Sequence, residues 1–291
     1  MSRPTALALI GAGRVATALG VLLERSGRQV VAATGRAPSR ERVARFLPGA
    51  QFFDEAHASE AASRTDVVII GVSDDAIESV AASLAAGGGF RSGHFVVHLS
   101  GSVGLEALAP AKEAGAEVLS THPLQSFPTV ERGLERFPGS GMAVTATTDS
   151  GFEVGEAIAR DCGANPFRLA NDLKSLYHAA AVFAANYLAT VEAVAEELFR
   201  SAGLAEPVPL FSPLASAVLD RTMAEGPANA LTGPAVRGDV GTVRRNLEAL
   251  AQHAPTAVPA YIALARMALD IAHGVPDDRR SRVEQELERW K

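Results

Sequence analysis

A short apolar stretch that runs into closely spaced glycines constrains the fold of this chain more than any other feature. Residues 5–10 carry no charge and lead into Gly11-Ala12-Gly13-Arg14-Val15-Ala16, after which apolar residues recur at helical spacing. A strand that ends in Gly-x-Gly-x-x-Ala at the start of a helix is typical of a βαβ unit that binds a dinucleotide. The alternative interpretation is a tight turn between a buried strand and a helix.

The small residues of this turn have separate physical roles. Gly11 lets the chain turn where a Cβ would clash, and Gly13 lets the backbone approach a pyrophosphate. Ala16 lets the helix pack closely on the strand. The phosphates would then lie on the unpaired N–H groups of the first helical turn. The cofactor-binding residues predicted here are Gly11, Gly13, Arg14, Val15 and Ala16.

Basic residues follow the second predicted strand, Gln29–Thr34, at the place where an NAD-binding protein would carry an acid. A carboxylate there accepts hydrogen bonds from the ribose hydroxyls, but this chain continues with Gly35-Arg36-Ala37-Pro38-Ser39-Arg40. Guanidinium groups would hold a 2′-phosphate that an acid would repel. We therefore predict NADP(H) rather than NAD(H), bound by Arg36, Ser39 and Arg40. The alternative is a solvated basic loop.

Two further predicted strands, residues 66–72 and 95–99, end beside polar residues. Ligands of open α/β sheets lie at the carboxyl ends of the strands, so these residues could meet a cofactor or a substrate. Helix capping is the alternative for the two serines of the second strand end. The predicted cofactor contacts are Val72, Ser73 and Ser100, and Ser102 is predicted to contact the substrate.

A histidine precedes a proline at the end of the next predicted strand, residues 117–121. Pro123 biases His122 toward an extended conformation, which would direct the imidazole out of the strand end. A histidine there can exchange a proton with a substrate hydroxyl while hydride leaves or reaches the same carbon. The alternative is a structural histidine that is hydrogen-bonded in the loop. The predicted catalytic residues are His122, Lys174 and Ser100.

The alternation of strands and helices stops near residue 170. We predict an α/β fold with an N-terminal Rossmann-type doubly wound sheet in residues 1–170, followed by an all-α C-terminal domain in residues 171–291. Its first helix carries no charge over residues 175–191, which favours burial by other helices, including those of a second subunit. We therefore expect a homodimer through the helical domain. Residues 203–213 hold three prolines and are predicted to connect two helices.

Polar residues near the start of this helix are candidates for chemistry. Lys174 and His178 share a helix face because four residues turn through only about 40° beyond a full turn. Lys174 could polarise a carbonyl or transfer a proton, and a solvated lysine is the alternative. The predicted substrate-binding residues of the helical region are His178, Asn186, Thr232 and Arg237.

Composition excludes several classes of partner. The net charge of -6 argues against a nucleic acid, which needs clustered Lys and Arg. A single cysteine, Cys162, excludes an internal disulfide and fits a reducing compartment. The first apolar run is too short for a signal peptide, and no metal-ligand spacing occurs. We expect a cytoplasmic protein with a small-molecule substrate, without metal, nucleic acid or membrane.

Four segments together resemble the 6-phosphogluconate dehydrogenase-like superfamily. Within it, the chain is similar to the family that pairs a Rossmann-like domain with a helical domain of unknown function. The resemblance rests on residues 11–16, 99–102, 121–127 and 232–239. It implies an oxidoreductase, although the family has no settled substrate.

Better-known relatives imply roles for individual residues. In prephenate dehydrogenases a serine-bearing loop precedes a His-Pro motif whose histidine acts on the substrate hydroxyl, and Ser100 or Ser102 and His122 look similar. In ketopantoate reductases and hydroxyisobutyrate-type dehydrogenases a lysine opens the long helix, with an asparagine one turn later. Lys174 matches that lysine, whereas His178 replaces the asparagine. Pyrroline-5-carboxylate reductases share the architecture and the dimeric helical domain.

The sequence therefore predicts an NADP(H)-dependent oxidoreductase. Hydride would pass to or from a small, carboxylated keto or hydroxy compound in a cleft between the two domains. The alternative is a non-catalytic NADP(H)-binding sensor that acts through its helical domain, because fold alone does not separate the two.

Overall fold

The computed structural model describes residues 5–290. The chain divides into two compact units, the first ending at Ala184 and the second beginning at Ala185. The sequence analysis placed a domain boundary at residue 170. In the structure, the first turns of the long helix that was predicted to start there lie in the unit that contains the sheet.

The first unit is built on one eight-stranded sheet with the order β3-β2-β1-β4-β5-β6-β7-β8. Neighbouring strands are parallel except for β6 and β7, which are antiparallel. The chain order reverses between β1 and β4, and this is where an open α/β sheet forms a crevice. The strands are β1 (Ala6–Ile10), β2 (Gln29–Thr34), β3 (Gln51–Phe53), β4 (Val67–Ile70), β5 (Phe95–His98), β6 (Glu117–Pro123), β7 (Gly141–Ala146) and β8 (Asn165–Arg168).

Helices cover both faces of this sheet, as the sequence predicted. Alternate residues of β1 belong to opposite cores: Leu7 and Leu9 pack in one, and Ala8 and Ile10 in the other. A strand that is buried on both faces is apolar without alternation, which explains its sequence. The helices of this unit are α1 (Arg14–Arg25), α2 (Ala37–Phe46), α3 (Ala58–Ser63), α4 (Ile77–Ala86), α5 (Ala109–Glu113), α6 (Val130–Arg136), α7 (Asp149–Asp161) and α8 (Lys174–Ala181).

Strand β6 extends two residues beyond its predicted end. His122 pairs with Ala143 of β7, and Pro123 pairs with Met142. Because the proline is the last residue of the strand, its missing N–H costs little of the ladder. His122 is therefore held by the sheet instead of by a loop.

The second unit consists of helices. A π-helical segment, Val182–Tyr187, joins α8 to its first helix. The core of the second unit contains Val243, Leu247, Leu269 and Val283. The helices are α9 (Leu188–Ser201), α10 (Val208–Glu225), α11 (Pro227–Ala230), α12 (Pro234–Arg237), α13 (Val240–His253), α14 (Val258–Ile271) and α15 (Asp277–Glu288). Over residues 5–290, none of the helices has the length and apolar character that a membrane span requires.

The predicted connection at residues 203–213 is wrong in its second half, because α10 already begins at Val208. Pro207 is the N-cap, and Pro209 lies in the first turn. Backbone N–H groups in the first turn have no helical partner, so prolines there remove no hydrogen bond. Pro213 lies inside the helix, where the sequence rule would have ended it.

Candidate active site

A cavity of about 710 Å³ opens at the carboxyl ends of β1, β2 and β4. This is the crevice that the reversal of strand order creates. The cavity is lined by Gly11, Gly13, Arg14, Val15, Gly35, Arg36, Pro38, Ser39, Arg42, Glu55, Gly71, Val72, Ser73, Ala76, Val80, Gln125 and Phe127.

The turn after β1 requires glycine at its first position. Gly11 has φ of +80°, and a Cβ there would lie 2.4 Å from Cγ1 of Val72. Its N–H donates to Oγ1 of Thr34 at 3.2 Å, and the N–H of Ala12 donates to the Thr34 carbonyl at 2.8 Å. The turn is therefore fixed by β2 and kept close to β4, and it leaves the cavity open.

The N-terminus of α1 faces this cavity. Its N-cap is Gly13, which has no side chain to accept hydrogen bonds from the first turn. The amides of Arg14, Val15 and Ala16 have no acceptor within the helix because it starts there. Arg14 and Val15 line the cavity. The positive end of the helix dipole is thus available to an anion.

The basic residues after β2 are divided between two environments. Arg36 and Ser39 line the cavity, as does Arg42, whose Nη1 donates to the Ala12 carbonyl at 2.8 Å. Arg40 instead donates to Asp54 at 2.5 Å. The structure therefore brings Arg36 and Ser39, but not Arg40, to the cavity wall. The sequence analysis missed Arg42, although Ser39 and Arg42 are three residues apart on a helix and share a face.

A carboxylate that the sequence analysis did not select joins the two serines after β5. Oδ2 of Asp74 accepts from Oγ of Ser100 at 2.7 Å and from Oγ of Ser102 at 2.8 Å. The hydroxyl of Ser100 also accepts from the amides of Ser102 and Val103, at 3.2 and 3.0 Å. These contacts fix a loop, residues 100–103, and neither serine caps a helix. The available signal for Asp74 was its position just beyond the carboxyl end of β4.

Lys174 lies beneath this loop, with only 1% of its surface exposed. Its Nζ donates to the Ser100 carbonyl at 2.9 Å and to Oγ of Ser120 at 2.8 Å. Burial lowers the pKa of Lys174 to about 8, against the opposing charges of Asp74 and Glu106. The ammonium group therefore holds the loop from inside, and a solvated lysine is not what the structure has.

His122 lies beside the same loop. Its Nδ1 is 2.9 Å from Oη of Tyr177 on α8. Burial, together with the charge of Lys174, lowers the pKa of His122 to about 4, so the imidazole is neutral at pH 7. The ring of His178 is 6.1 Å away, centroid to centroid. The structure thus brings Ser100, His122 and Lys174 together with His178.

Three predicted substrate-binding residues belong to the second unit. Asn186, Thr232 and Arg237 are exposed there, and Arg237 ends the short helix α12. Tyr177 was missed as a site residue. It lies three positions after Lys174 and therefore shares its helix face, which is the signal that could have identified it.

Fold and cavity define this chain as a Rossmann-type protein with a helical second unit. Residues 3–123 match the Rossmann-like domain model, and residues 140–268 match the domain of unknown function DUF2520. The chain therefore carries the two domains of the family that its motifs resemble, the Rossmann-like domain first and DUF2520 second. A search of curated proteins gives no match.

Solved structures share this fold along nearly the whole chain. A protein described as an NADP oxidoreductase from Bacteroides fragilis is 24% identical, with a TM-score of 0.74, over 91% of this chain and 98% of its own. Protein TM1727 from Thermotoga maritima is 23% identical, with a TM-score of 0.69, over the same shares. The imine reductase from Myxococcus stipitatus in complex with NADP+ is 20% identical, with a TM-score of 0.64, over 98% of this chain and 99% of its own. At these identities the likeness concerns the fold.

Proposed function

We propose that the protein is an NADP(H)-dependent oxidoreductase that transfers hydride between the nicotinamide and a keto or hydroxy carbon of a small compound. The observation that carries this proposal is the open, glycine-walled cavity on the N-terminus of α1. Its wall includes Ser73 and Gln125, which neighbour Asp74 and His122 along the chain. A group bound along the cavity would therefore end near the polar cluster of residues 74, 100–103, 122 and 174.

The cavity residues fit a dinucleotide phosphate. The unpaired amides of the first turn of α1 can bind a pyrophosphate, and a Cβ at Gly11 would collide with Val72 of the cavity wall. At the other end of the wall, Arg36, Ser39 and Arg42 offer two guanidinium groups and a hydroxyl to a further phosphate. Glu55 is the one carboxylate among the lining residues. The imine reductase that shares this fold was solved with NADP+, which supports the same choice.

The cofactor, when bound, supplies or accepts the hydride. The chain supplies the environment of the reacting carbon. His122 is the group that we place at the substrate oxygen, because a neutral imidazole can hydrogen-bond to it without carrying a charge. Lys174 supports the loop of residues 100–103 and does not contact the substrate, since both of its hydrogen bonds are to protein groups. The hydrogen bonds from the two serine hydroxyls to the Asp74 carboxylate fix the loop of residues 100–103.

For the substrate we retain the class expected from the sequence, a small keto or hydroxy compound that carries a carboxylate. The protein should be tested with 2-keto acids and NADPH, and with cyclic imines because imine reductases share its fold. Turnover of any member of this panel supports an enzyme. Binding of NADPH without turnover of any of them would favour the sensor.

NADPH is expected to stabilise the protein against heat more than NADH does. At about 100 times Kd, a ligand adds roughly 2.7 kcal/mol of apparent stability. Arg36→Gln should weaken the binding of NADPH by about tenfold or more and leave the binding of NADH unchanged, because a charged hydrogen bond to the 2′-phosphate is lost. Thermal-shift titrations with both cofactors measure this difference.

Arg40→Gln is the matched control, since Arg40 is paired with Asp54 and lies off the cavity wall. It should leave the preference for NADPH as in the wild type. Equal stabilisation by NADPH and NADH in the wild type would refute the phosphate-binding role of Arg36, Ser39 and Arg42.

We also propose that the helical unit forms a homodimer. Helix α10 has 18 residues, and none of them is buried. Leu210 and Leu214 are 66% and 67% exposed, and with Val218 they follow one another at intervals of four residues along one face. Such a continuous apolar stripe on a helix is the usual mark of a protein interface. A second copy of this chain would cover it.

Leu214→Glu is expected to convert a dimer into a monomer, because a carboxylate would have to be buried in the interface. Light scattering coupled to size exclusion measures the mass. Gln252→Glu places the same charge on the exposed surface of α13 and should leave the dimer intact. A monomeric wild type at micromolar concentration would contradict the proposal.

A further inference from the structure

Tyr177 and His122 form a pair that the proposed reaction does not by itself require. His122 lies near the end of β6, and Tyr177 is the fourth residue of α8. Their rings meet edge to face at 5.4 Å, and the hydroxyl reaches Nδ1 at 2.9 Å. Lys174, three residues earlier on the same helix, is hydrogen-bonded to the Ser100 carbonyl. This contact fixes the start of α8 and with it the position of the Tyr177 hydroxyl.

The direction of this hydrogen bond follows from the protons available. Burial raises the pKa of Tyr177 to about 12, so the phenol keeps its proton. Within residues 5–290, the Tyr177 hydroxyl has no other hydrogen-bond acceptor than Nδ1 of His122. A neutral imidazole carries one proton, on one of its two nitrogens. If Nδ1 accepts the phenol proton, the ring proton is on Nε2.

The other side of the imidazole borders a narrow gap at Gly101. A Cβ built at Gly101 would lie 2.9 Å from Nε2 of His122 and 2.9 Å from Cδ2 of His178. Any side chain at position 101 would therefore fill the space between the two imidazoles. This gap is too narrow for a carbon atom, so a ligand reaches Nε2 from the side that is open to solvent. Within residues 5–290, Nε2 has no hydrogen-bond partner and is not among the fully buried polar atoms.

We propose that Tyr177 is a positioning residue that holds His122 as its Nε2–H tautomer, so that the site presents an N–H donor to the substrate. This inference rests on the proposed function and deepens it, because it selects the form of substrate that is bound. A carbonyl oxygen or an imine nitrogen accepts from Nε2–H. An alcohol oxygen also accepts from Nε2–H, but this protonated nitrogen has no lone pair to take the hydroxyl proton that oxidation would release. The site is therefore arranged to bind and polarise the oxidised substrate. In a reduction, Nε2 would give its proton to the substrate while Nδ1 takes the phenol proton of Tyr177, which solvent replaces, so the imidazole stays neutral.

The tautomer can be measured directly in the intact protein, without cofactor or substrate. Nitrogen-15 NMR distinguishes protonated from unprotonated ring nitrogens, and the signals of His122 are assigned by their loss in His122→Gln. We expect an Nε2–H tautomer in the wild type. Tyr177→Phe should introduce the Nδ1–H tautomer and lower kcat for reduction by about tenfold, with little change in KM.

Phenylalanine keeps the ring that packs against His122 and Phe167, so Tyr177→Phe removes the hydroxyl alone. Tyr261→Phe is the matched control: it also removes a hydroxyl that is hydrogen-bonded, to Asn246, but in the second unit. It should alter neither the His122 signals nor kcat.

Two results would overturn the inference. One is an Nδ1–H tautomer of His122 in the wild type, which needs no variant to be observed. The other is an unchanged tautomer in Tyr177→Phe. Neither depends on NADPH, so a failure here is distinguishable from a failure of the proposed function, which the thermal-shift titration tests.

Discussion

The His122→Gln variant is expected to turn over its substrate about 10²–10⁴-fold more slowly than the wild type, which is the usual contribution of a positioned proton-transfer group. Glutamine can still accept from Tyr177, but it does not reproduce the ring that directs Nε2 to the gap at Gly101. The effect should fall on kcat. Steady-state oxidation of NADPH with the best substrate of the panel measures it.

Binding of the cofactor should be unaffected in this variant, because His122 does not line the glycine-walled cavity. The thermal shift with NADPH therefore provides an internal control. His253→Gln, on α13 of the second unit, provides a matched substitution outside the site. A wild-type rate in His122→Gln would dismiss its role at the substrate.

The Lys174→Met variant is expected to be about as stable as the wild type at pH 7, and yet to lose about 10²-fold in activity. Burial of the ammonium group, which lowers its pKa to about 8, costs on the order of 3 kcal/mol in the folded state. A methionine of similar length removes that cost. Buried charges are often replaced by apolar residues without loss of stability.

Two hydrogen bonds are lost in exchange, and hydrogen bonds of a charged group contribute about 1.5–3 kcal/mol each. The partners are not left unsatisfied, because Oγ of Ser120 also donates to the Ser100 carbonyl at 3.2 Å. The desolvation cost and the contribution of the two bonds are thus of the same order, and they largely cancel. Without the ammonium group, however, the loop of residues 100–103 loses its anchor, and small displacements near reacting groups cost rate steeply.

Urea unfolding at pH 7 and steady-state kinetics test the two halves of this expectation. A loss of several kcal/mol in the free energy of unfolding would show that Lys174 is retained for stability. Wild-type activity in a folded variant would show that the anchor is dispensable. Unchanged stability with loss of activity is the signature of a residue kept for function.

Local sequence was sufficient to predict the first βαβ unit. Residues 6–10 are apolar without alternation because the strand is buried on both faces, and Gly11 is required where a Cβ would meet Val72. The apolar pattern of the strand and the positive φ of Gly11 are local properties, although Val72 itself is distant along the chain. The same holds for His122 and Lys174, which were selected as polar residues at a strand end and a helix start.

The sequence could not predict the hydrogen-bond partners of these residues, because those partners are far away along the chain. Lys174 was weighed against a solvated lysine, but its contact with Ser100 joins residues 74 positions apart. Arg40 was selected and Arg42 was not, because the direction of each side chain depends on how α2 packs against α1 and β2.

The sequence by itself determined the class of fold, the glycine turn and the residue types of the site, because strand burial, turn conformation and helix periodicity are local properties. Only the tertiary structure decided that Asp74 binds both serines, that Tyr177 meets His122 and that Lys174 is buried beneath the loop. Hydrogen-bond partners and desolvation depend on which distant segments come together. A single sequence carries no local record of those distances.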